Sequence, residues 1–425
     1  MANSGSLTQA RNDKKDEFYT QLADIEKEMN AYIEYDANVF RGKTVLLPAD
    51  DPFESNFFKF FALHFNDYGL NKLIATSYDP SPIVNTQLEL SLFGDGNELK
   101  DGASSKLSTA YKIELTDVSD FDEDGRINIT DVQERLRHER TQIDHGKCSK
   151  MLSYLEGDTD PDGATRFSPG DFRSAEVSAL RDQADVVITN PPFSLFRDFL
   201  DWIEPDKRLF SIIGNVNAIT YKSVFPLIMK NELWMGESIH SGDREFKVPD
   251  SYPLQSAGWR VDDKGNKYIR VKGVRWFTNI NHGRRHQPLS LMTMADNKMF
   301  SKHKEVKNHD YAHYDNYDAI EVPYTDAIPS DYNDAMGVPI TFLDKYSPAQ
   351  FKILGITKTW FGAATKRYGK QIQYSKSGKT KTVSTLNAGT AIKLDAVPEN
   401  TTYYRVDNDN YIQTYPRILI MRRQD

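Results

Sequence analysis

The stretch DVVITNPPFSLF, residues 185–196, decides which fold the sequence predicts. Its opening residues, DVVIT, are mostly apolar and β-branched, and such a run indicates a short strand that is buried on both faces. The motif Asn190-Pro191-Pro192-Phe193 then ends the strand, because proline fixes φ and lacks the N–H group that regular structure requires. Since a helical pattern begins at Ser194, we predict a strand, a stiff turn and a helix in succession.

Apolar runs of the same kind predict further strands of one sheet at three other places: TVLLP at 44–48, KLIATS at 72–77 and RLFSIIG at 208–214. Helical patterns lie between them, and others cover residues 16–35 and the phenylalanine-rich run after Pro52. Strands that alternate with helices are typical of an α/β fold with a doubly wound sheet. Residues 234–239 and 268–280 have strand patterns without intervening helices, and we predict that they form an antiparallel hairpin at the sheet edge.

The composition sets bounds on the class of protein. A single cysteine, Cys148, excludes a disulfide framework and a thiolate metal cluster, and it indicates a reducing compartment. No run approaches the roughly 18 apolar residues of a membrane span, and the polar N-terminal segment has no signal-peptide pattern, so we expect a cytoplasmic protein. From about residue 296 onward Tyr, Asn, Asp, Lys and Gly dominate, and we place a domain boundary near residue 295.

The net charge of the chain is −8, but one stretch is strictly basic. From Lys345 to Lys393 there are ten Lys or Arg residues and no Asp or Glu. Such a stretch on an acidic chain is the electrostatic footprint that phosphate binding requires, although a solvated basic face is the other interpretation. The candidate contacts to nucleic-acid phosphates in this stretch are Lys358, Lys366, Arg367, Lys370, Lys376 and Lys379. Arg284 and Arg285 are further candidates, for which a surface loop is an equal alternative.

The NPPF motif suits one kind of chemistry at the carboxyl end of a strand, where open α/β sheets bind their ligands. The lone pair of an aromatic amine such as adenine N6 is delocalised into the ring. Hydrogen bonds from its two hydrogens to the Asn190 side-chain oxygen and the Pro191 carbonyl favour a tetrahedral nitrogen and stabilise developing positive charge. Phe193 is expected to stack on a base that has left the duplex. The alternative is a stiff turn without chemistry.

Four short motifs occur in a fixed order: DEFYTQ at 16–21, DPF at 51–53, GDF at 170–172 and NPPF at 190–193. Longer segments around and beyond them are KKDEFYTQLADIE, DDPFESNFFKFF, TNPPFSLFRDF, IIGNVNAITYK, RWFTNINHGRRH and GVPITFLDKYSPAQF. Together, from residue 14 to about 351, they resemble the EcoRI-type adenine-specific DNA methyltransferases. The resemblance implies a Rossmann-like core that uses S-adenosylmethionine to methylate adenine N6 in duplex DNA after base flipping.

Residue by residue, the resemblance implies that Asn190, Pro191, Pro192 and Phe193 are catalytic. The cofactor site it implies consists of Phe18, Tyr19, Thr20, Asp51, Pro52, Phe53, Tyr78, Asp171 and Phe172, with Asp79 as the alternative to Tyr78. Residues 1–295 are then the catalytic domain and residues 296–425 the target-recognition domain. Methyltransferases usually have Gly-x-Gly after the DPF, whereas Ser55 and Phe57 stand here, so we expect a cofactor that sits differently or binds more weakly.

An acidic loop between residues 120 and 131 fits the spacing of an EF-hand-like calcium loop, with Asp120, Asp122, Asp124 and Asp131 at ligand positions. The other interpretation is an acidic turn that caps the following helix. We predict no metal for the reaction itself, because the NPPF chemistry needs neither a metal nor a covalent intermediate.

Other functions stay open at this point. Related NPP motifs serve cytosine N4, RNA or a protein glutamine amide, and a DNA-binding protein that has lost catalysis would keep the same fold. The expected partner is double-stranded DNA, in a cytoplasmic, nucleoid-associated location and without a membrane. A cognate restriction endonuclease in the same system is an expected relation that implies no direct contact.

Overall fold

The computed structural model describes residues 20–78, 110–240, 243–248 and 258–424. The α-helices in these ranges are α1 (Leu22–Tyr35), α2 (Asn56–Leu63), α3 (Phe65–Tyr68), α4 (Ile129–Asp144), α5 (Ala175–Gln183), α6 (Phe196–Ile203), α7 (Phe225–Lys230) and α8 (Met294–Phe300). Among these described residues, no helix combines the length and the apolar character that crossing a membrane would require.

The strands of the first half are β1 (Thr44–Leu47), β2 (Lys72–Thr76), β3 (Tyr111–Leu115), β4 (Leu152–Tyr154), β5 (Asp158–Thr159), β6 (Thr165–Phe167), β7 (Val186–Thr189), β8 (Leu209–Asn215), β9 (Trp234–Met235), β10 (Asp243–Val248), β11 (Arg260–Val261), β12 (Lys267–Lys272) and β13 (Val274–Thr278). Those of the second half are β14 (Ile320–Glu321), β15 (Met336–Pro339), β16 (Phe351–Ile356), β17 (Gln371–Tyr374), β18 (Thr380–Val383), β19 (Ala391–Leu394), β20 (Tyr403–Val406), β21 (Asp409–Gln413) and β22 (Arg417–Arg422).

The main sheet contains eight strands in the order β4-β3-β2-β1-β7-β8-β13-β9. Its four central strands, β2, β1, β7 and β8, pair in parallel. Every residue of β1 and β7 is buried, which explains why TVLL and VVIT show no alternation of polar and apolar side chains. The four predicted strands and the mixed α/β class are therefore confirmed.

Helices pack beside this sheet much as their sequence patterns predict. In α1, Ile25, Met29 and Tyr32 are fully buried, and their spacing of four and three residues puts them on one face. Of the helix predicted over 16–35, the part from Leu22 is helical, and residues before 20 lie outside the described ranges. The helix predicted from Ser194 begins as a 3-10 turn, Phe193–Leu195, before α6.

The edge of the sheet differs from the prediction of a single strand over 268–280. Two strands cover this stretch: β13 pairs antiparallel with β8 and lies next to β9, whereas β12 pairs with β10 and β11 in a separate sheet. Gly273 separates them with φ +70°, a left-handed conformation that an extended strand does not contain. The neighbouring position of β9 and β13 at the edge is thus confirmed, and the single strand is wrong.

Two compact units make up the chain. The first comprises Met1–Val216 and Met235–His282, and the second Asn217–Trp234 and Gly283–Asp425. Residues 217–234 belong to the second unit because α7 packs there, with the Phe225 ring 6.3 Å from Trp360 and 5.9 Å from Phe361. The division thus differs from a single boundary near residue 295, and the roles given to 1–295 and 296–425 stay predictions.

The second unit contains two sheets among its described residues. One has the strand order β14-β15-β22-β16 and the other the order β18-β17-β20-β21-β19. Most of these strands are four to six residues long, so each offers too few side chains for a clear periodic pattern. This explains why the sequence predicts little regular structure after residue 296.

Candidate active site

Three loops that the sequence predicts to be functional lie at one edge of the main sheet. Asp50–Phe53 follow β1, Ser77 and Tyr78 follow β2, and Asn190–Phe193 follow β7. The three strands are parallel, and β1 lies between the other two. Because parallel strands end at the same edge, the predicted cofactor and catalytic segments are brought together there, at the carboxyl ends.

Asp51 is a buried polar residue of the β1 loop, with 6% of its surface exposed. Its Oδ1 accepts hydrogen bonds from the Phe53 amide at 2.9 Å and from the Tyr111 hydroxyl at 2.8 Å. Its Oδ2 is buried and has no hydrogen-bond partner among the described residues. Burial raises the pKa of Asp51 to about 6, against the opposing effect of these hydrogen bonds. Such an oxygen suits a ligand that brings its own donor.

The glycine-poor part of this loop has a structural explanation. Ser55 caps the N-terminus of α2 with φ −62°, and its Oγ accepts hydrogen bonds from the amides of Phe57 and Phe58 at 3.1 and 3.2 Å. Phe57 is 2% exposed and packs edge-on against Trp276. Neither position has a positive φ, so this loop conformation does not require glycine. How tightly the cofactor binds stays a prediction.

Thr20 lies near the start of α2, because its carbonyl accepts a hydrogen bond from the Asn56 side chain at 2.7 Å. It is 4% exposed, and within the described ranges its buried Oγ1 has no hydrogen-bond partner. Phe18, Tyr19 and Asp79, which were also predicted to face the cofactor, lie outside the described residues.

The GDF loop is held against the end of β2. Gly170 has φ +79°, and a Cβ built there would lie 1.9 Å from the Ser77 carbonyl oxygen. Only glycine fits this position without a shift of the backbone. The close approach brings Asp171 into the neighbourhood of Tyr78, which is half-buried.

The side chains of Asp171 and Phe172 in the GDF loop also make contacts within the protein. Asp171 accepts two hydrogen bonds from the Arg173 guanidinium, at 2.9 and 2.7 Å, so its charge is already balanced. Phe172 is 6% exposed, with its ring 5.0 Å from Phe199 and 5.5 Å from Trp202. These contacts account for the burial of Phe172, and contact of either residue with the cofactor stays a prediction.

The NPPF motif forms the turn that the sequence predicts. Asn190, Pro192 and Phe193 are half-buried and Pro191 is buried. The turn is closed by a hydrogen bond from the Leu195 amide to the Pro192 carbonyl at 2.9 Å, rather than to that of Pro191. A stiff turn therefore presents the Asn190 side chain at the edge of the sheet, next to the β1 loop.

Asp50 was missed by the sequence interpretation, and it connects the β1 loop with the NPPF turn. Its Oδ1 accepts a hydrogen bond from the Ser55 hydroxyl at 2.9 Å, and its Oδ2 lies 2.5 Å from Thr189 Oγ1. Burial of the carboxyl group raises the pKa of Asp50 to about 7. The only sequence signals for this contact are a second aspartate before the DPF and a threonine before the NPPF.

The cations predicted to contact DNA lie in the second unit, with differing surroundings. Arg367, Lys370, Lys376 and Lys379 are exposed, and Lys358 is half-buried. Lys366 is also exposed, but it pairs with Asp315 at 2.6 Å, so its charge is partly neutralised. The turn between β17 and β18 contains Lys376 and Lys379, and it forms an exposed basic tip.

Arg284 and Arg285 lie together in a 3-10 turn, Gly283–His286, but differ in burial. Arg284 is half-buried. Arg285 is 5% exposed, its guanidinium lies 3.5 Å from the centre of the Trp234 ring, and it donates a hydrogen bond to Asn231. This burial argues against Arg285 as a contact to phosphate, because the guanidinium serves packing instead.

The aspartates of the acidic loop before α4 fall into two groups with different contacts. Carboxylate oxygens of Asp120, Asp122 and Asp124 lie within 4.8 Å of one another, and the last two residues are exposed. Asp131, at the twelfth position, instead accepts backbone hydrogen bonds from Phe121 and Asn128, and it belongs to a capping box at the start of α4. The helix-cap interpretation of Asp131 is thus confirmed, and calcium binding stays untested.

Comparisons with known proteins agree in the family that they indicate. A family model described as "Adenine-specific methyltransferase EcoRI" matches residues 6–423. The chain is 38% identical over 352 residues to the Type II methyltransferase M.EcoRI of Escherichia coli, covering 83% of this chain and 89% of that protein. It is 30% identical to the Type II methyltransferase M.MpnI of Mycoplasma pneumoniae over 351 residues, 82% of this chain and 84% of the relative.

A second mycoplasma protein, the Type II methyltransferase M.MgeORF184P of Mycoplasma genitalium, is 30% identical over 350 residues, 82% of this chain and 85% of its own length. No solved structure matches the chain significantly. The predicted enzyme class, an adenine-specific methyltransferase, is confirmed by this match across nearly the whole chain. The chain belongs to the EcoRI family of adenine-specific methyltransferases.

Proposed function

We propose that this enzyme transfers a methyl group from S-adenosylmethionine to N6 of adenine in double-stranded DNA, after the base has left the duplex. The observation that carries the proposal is the position of the NPPF turn, directly beside a loop that contains an unsatisfied buried carboxylate oxygen. Both lie at the carboxyl ends of adjacent parallel strands, the place where a Rossmann-like sheet binds its ligands.

The cofactor side of the site is formed by Asp51 and Thr20. Asp51 Oδ2 and Thr20 Oγ1 are buried and have no hydrogen-bond partners among the described residues, so a ligand with an ammonium group would satisfy them. S-adenosylmethionine has such a group on its methionine part, and when bound it supplies an electrophilic methyl group. Gly170 keeps the backbone after β2 close to the GDF loop, and Tyr78 lies there to contact the ribose.

On the catalytic side, Asn190 and Pro191 act on the adenine amine. The Asn190 side-chain oxygen and the Pro191 carbonyl accept hydrogen bonds from its two hydrogens, which directs the nitrogen lone pair away from the ring and stabilises the positive charge that develops. Phe193 stacks on the flipped base and offsets part of the stacking lost from the duplex. The stiff turn holds these groups in place before the substrate arrives.

The basic residues of the second unit are proposed to hold the DNA backbone. Arg367, Lys370, Lys376 and Lys379 are exposed and have no acidic neighbour in the sequence between Lys345 and Lys393. Their charges position phosphates and carry little base specificity by themselves. A cognate restriction endonuclease of the same specificity is consistent with the Type II names of the relatives, and it implies no contact with this chain.

One experiment tests the proposal. The protein is incubated with labelled S-adenosylmethionine and unmethylated duplex DNA, and the modified nucleoside is identified. We expect N6-methyladenine from the wild type and from Asn333→Ala, an exposed control, whereas Asn190→Ala should bind the cofactor and lose transfer. Methylation of cytosine or of RNA alone would overturn the proposed target, and full activity of Asn190→Ala would overturn the mechanism.

A further inference from the structure

The carboxyl group of Asp50 connects the β1 loop with the end of β7, which leads into the NPPF turn. One of its oxygens accepts a hydrogen bond from Ser55, the residue that caps α2, and the other lies 2.5 Å from the Thr189 hydroxyl. Thr189 is the last residue of β7 and directly precedes Asn190. A displacement of Asp50 is therefore passed to Thr189 through one hydrogen bond, and from Thr189 along the backbone to the NPPF turn.

We propose that Asp50 is a positioning residue for methyl transfer: as a carboxylic acid it holds Thr189, and thereby the turn that begins at Asn190, against the start of α2. The role rests on the proposed function, because it concerns the reaction that Asn190 is proposed to catalyse. Asp50 itself touches neither substrate nor cofactor in this assignment.

The count of protons supports the neutral form of the acid. The Thr189 hydroxyl lies 3.1 Å from the Pro48 carbonyl as well as 2.5 Å from Asp50 Oδ2, and it has only one proton to donate. If Oδ2 carries a proton, Asp50 donates to Thr189, and Thr189 donates to Pro48. All three groups are then satisfied, whereas with an ionised Asp50 one contact of Thr189 is left without a proton.

The surroundings of Asp50 fit this assignment. The pKa of Asp50 is raised to about 7: burial is the largest influence, the hydroxyls of Thr189 and Ser55 lower the pKa, and the charge of Asp51 acts in the same direction as burial. Both hydroxyls are neutral, so Asp51 is the charged neighbour that acts on the group. At neutral pH the acid is therefore populated, and it is lost as the pH rises.

Substitutions separate a positioning role from a merely structural one. Asp50→Asn keeps the shape and presents a permanent donor to Thr189 and an acceptor to Ser55, as the neutral acid does. Asp50→Ala removes both contacts, and Thr189→Val removes the hydroxyl at nearly constant volume. The matched control is Thr278→Val, because the Thr278 hydroxyl is also buried in this sheet and donates to the Phe210 carbonyl at 2.7 Å.

The single-turnover rate of methyl transfer to DNA is measured for each variant, together with the affinity for S-adenosylmethionine. We expect Asp50→Ala and Thr189→Val to lose rate by about tenfold to a hundredfold, the range of a misplaced catalytic group. Their double variant should lose less than the product of the two single losses, because the contact between Asp50 and Thr189 is already absent in each single variant. Asp50→Asn should keep the rate and, unlike the wild type, should not slow as the pH rises above 7.

A second readout does not depend on activity. Amide hydrogen exchange of the peptide over residues 187–197 should become faster in Asp50→Ala and Thr189→Val, and should stay unchanged in Asp50→Asn and Thr278→Val. Unchanged exchange in Asp50→Ala, additive losses of rate, or an Asp50→Asn variant as slow as Asp50→Ala would overturn the role of Asp50. Absence of transfer in the wild type would instead overturn the proposed function, and the exchange data would still decide the structural contact.

Discussion

Gly170→Ala offers the sharpest test of how the site is built, because two separate costs meet at this position. Gly170 has φ +79°, and an added Cβ would lie 1.9 Å from the Ser77 carbonyl oxygen and 3.0 Å from the Tyr78 Cα. Ordinary contacts of a Cβ begin at 3.4 Å. The atoms that would have to move belong to the backbone, so the side chain cannot relieve the clash by rotating.

The expected loss in unfolding free energy of Gly170→Ala is the sum of these two costs. A left-handed conformation costs an alanine about 1 kcal/mol, and overpacking against a fixed backbone adds about 1–3 kcal/mol. Gly163→Ala is a matched control, because Gly163 has φ +85° and nothing within 4 Å of an added Cβ. We expect a loss in unfolding free energy of roughly 2–4 kcal/mol for Gly170→Ala and about 1 kcal/mol for Gly163→Ala.

Urea unfolding of both variants measures the difference, and steady-state kinetics measure its consequence for the site. Gly170→Ala should raise the KM for S-adenosylmethionine, because the clash separates Asp171 from Tyr78, whereas Gly163→Ala should leave it unchanged. Equal losses of stability in the two variants would refute the reasoning, since they would leave only the conformational cost. A normal KM in a destabilised Gly170→Ala would refute the link to the cofactor.

Three further outcomes are expected. Ser55→Ala removes the cap of α2 and should lower the unfolding free energy by about 1 kcal/mol in urea titrations; an unchanged midpoint would contradict the capping role. The pKa of Asp50 is raised from 3.8 to about 7, so its contribution to stability is present at low pH and is lost as the pH rises through 7. Relative to Asp50→Asn, the wild type should therefore lose about 2 kcal/mol between pH 5 and pH 7, and a pH-independent difference would argue that Asp50 is ionised throughout. Replacing both Lys376 and Lys379 by Gln should reduce the slope of log affinity for DNA against log salt by about 2, and an unchanged slope would remove this turn from the DNA contacts.

Local sequence patterns were sufficient for the parts of the fold that depend on neighbouring residues. The runs TVLL and VVIT are apolar throughout, and this alone indicates strands that are buried on both faces. The turn after β7 was equally predictable, because the two prolines restrict the backbone whatever surrounds them. The place of the NPPF motif at the carboxyl end of a strand was predictable too, because the motif directly follows the buried run VVIT.

Contacts between distant residues could not be predicted in this way. Nothing local in the sequence indicates that Arg285 packs on Trp234, or that residues 217–234 join the second unit. The split of β12 from β13 likewise depends on one left-handed glycine among strand-forming residues. Each of these outcomes is decided by which partner is available in space, and a linear pattern contains no information about that partner.

The catalytic region likewise combines features that local sequence predicts with contacts that only the fold creates. The sequence alone determined the NPPF turn, its place after a buried strand and the family to which the chain belongs, because these depend on residue types in a fixed order. Only the tertiary structure decided that Ser55 caps α2 where a glycine is usual, and that Asp50 connects Ser55 with Thr189. Asp50 and Thr189 are 139 residues apart, and their hydrogen bond exists because β1 and β7 pair as neighbours in the sheet.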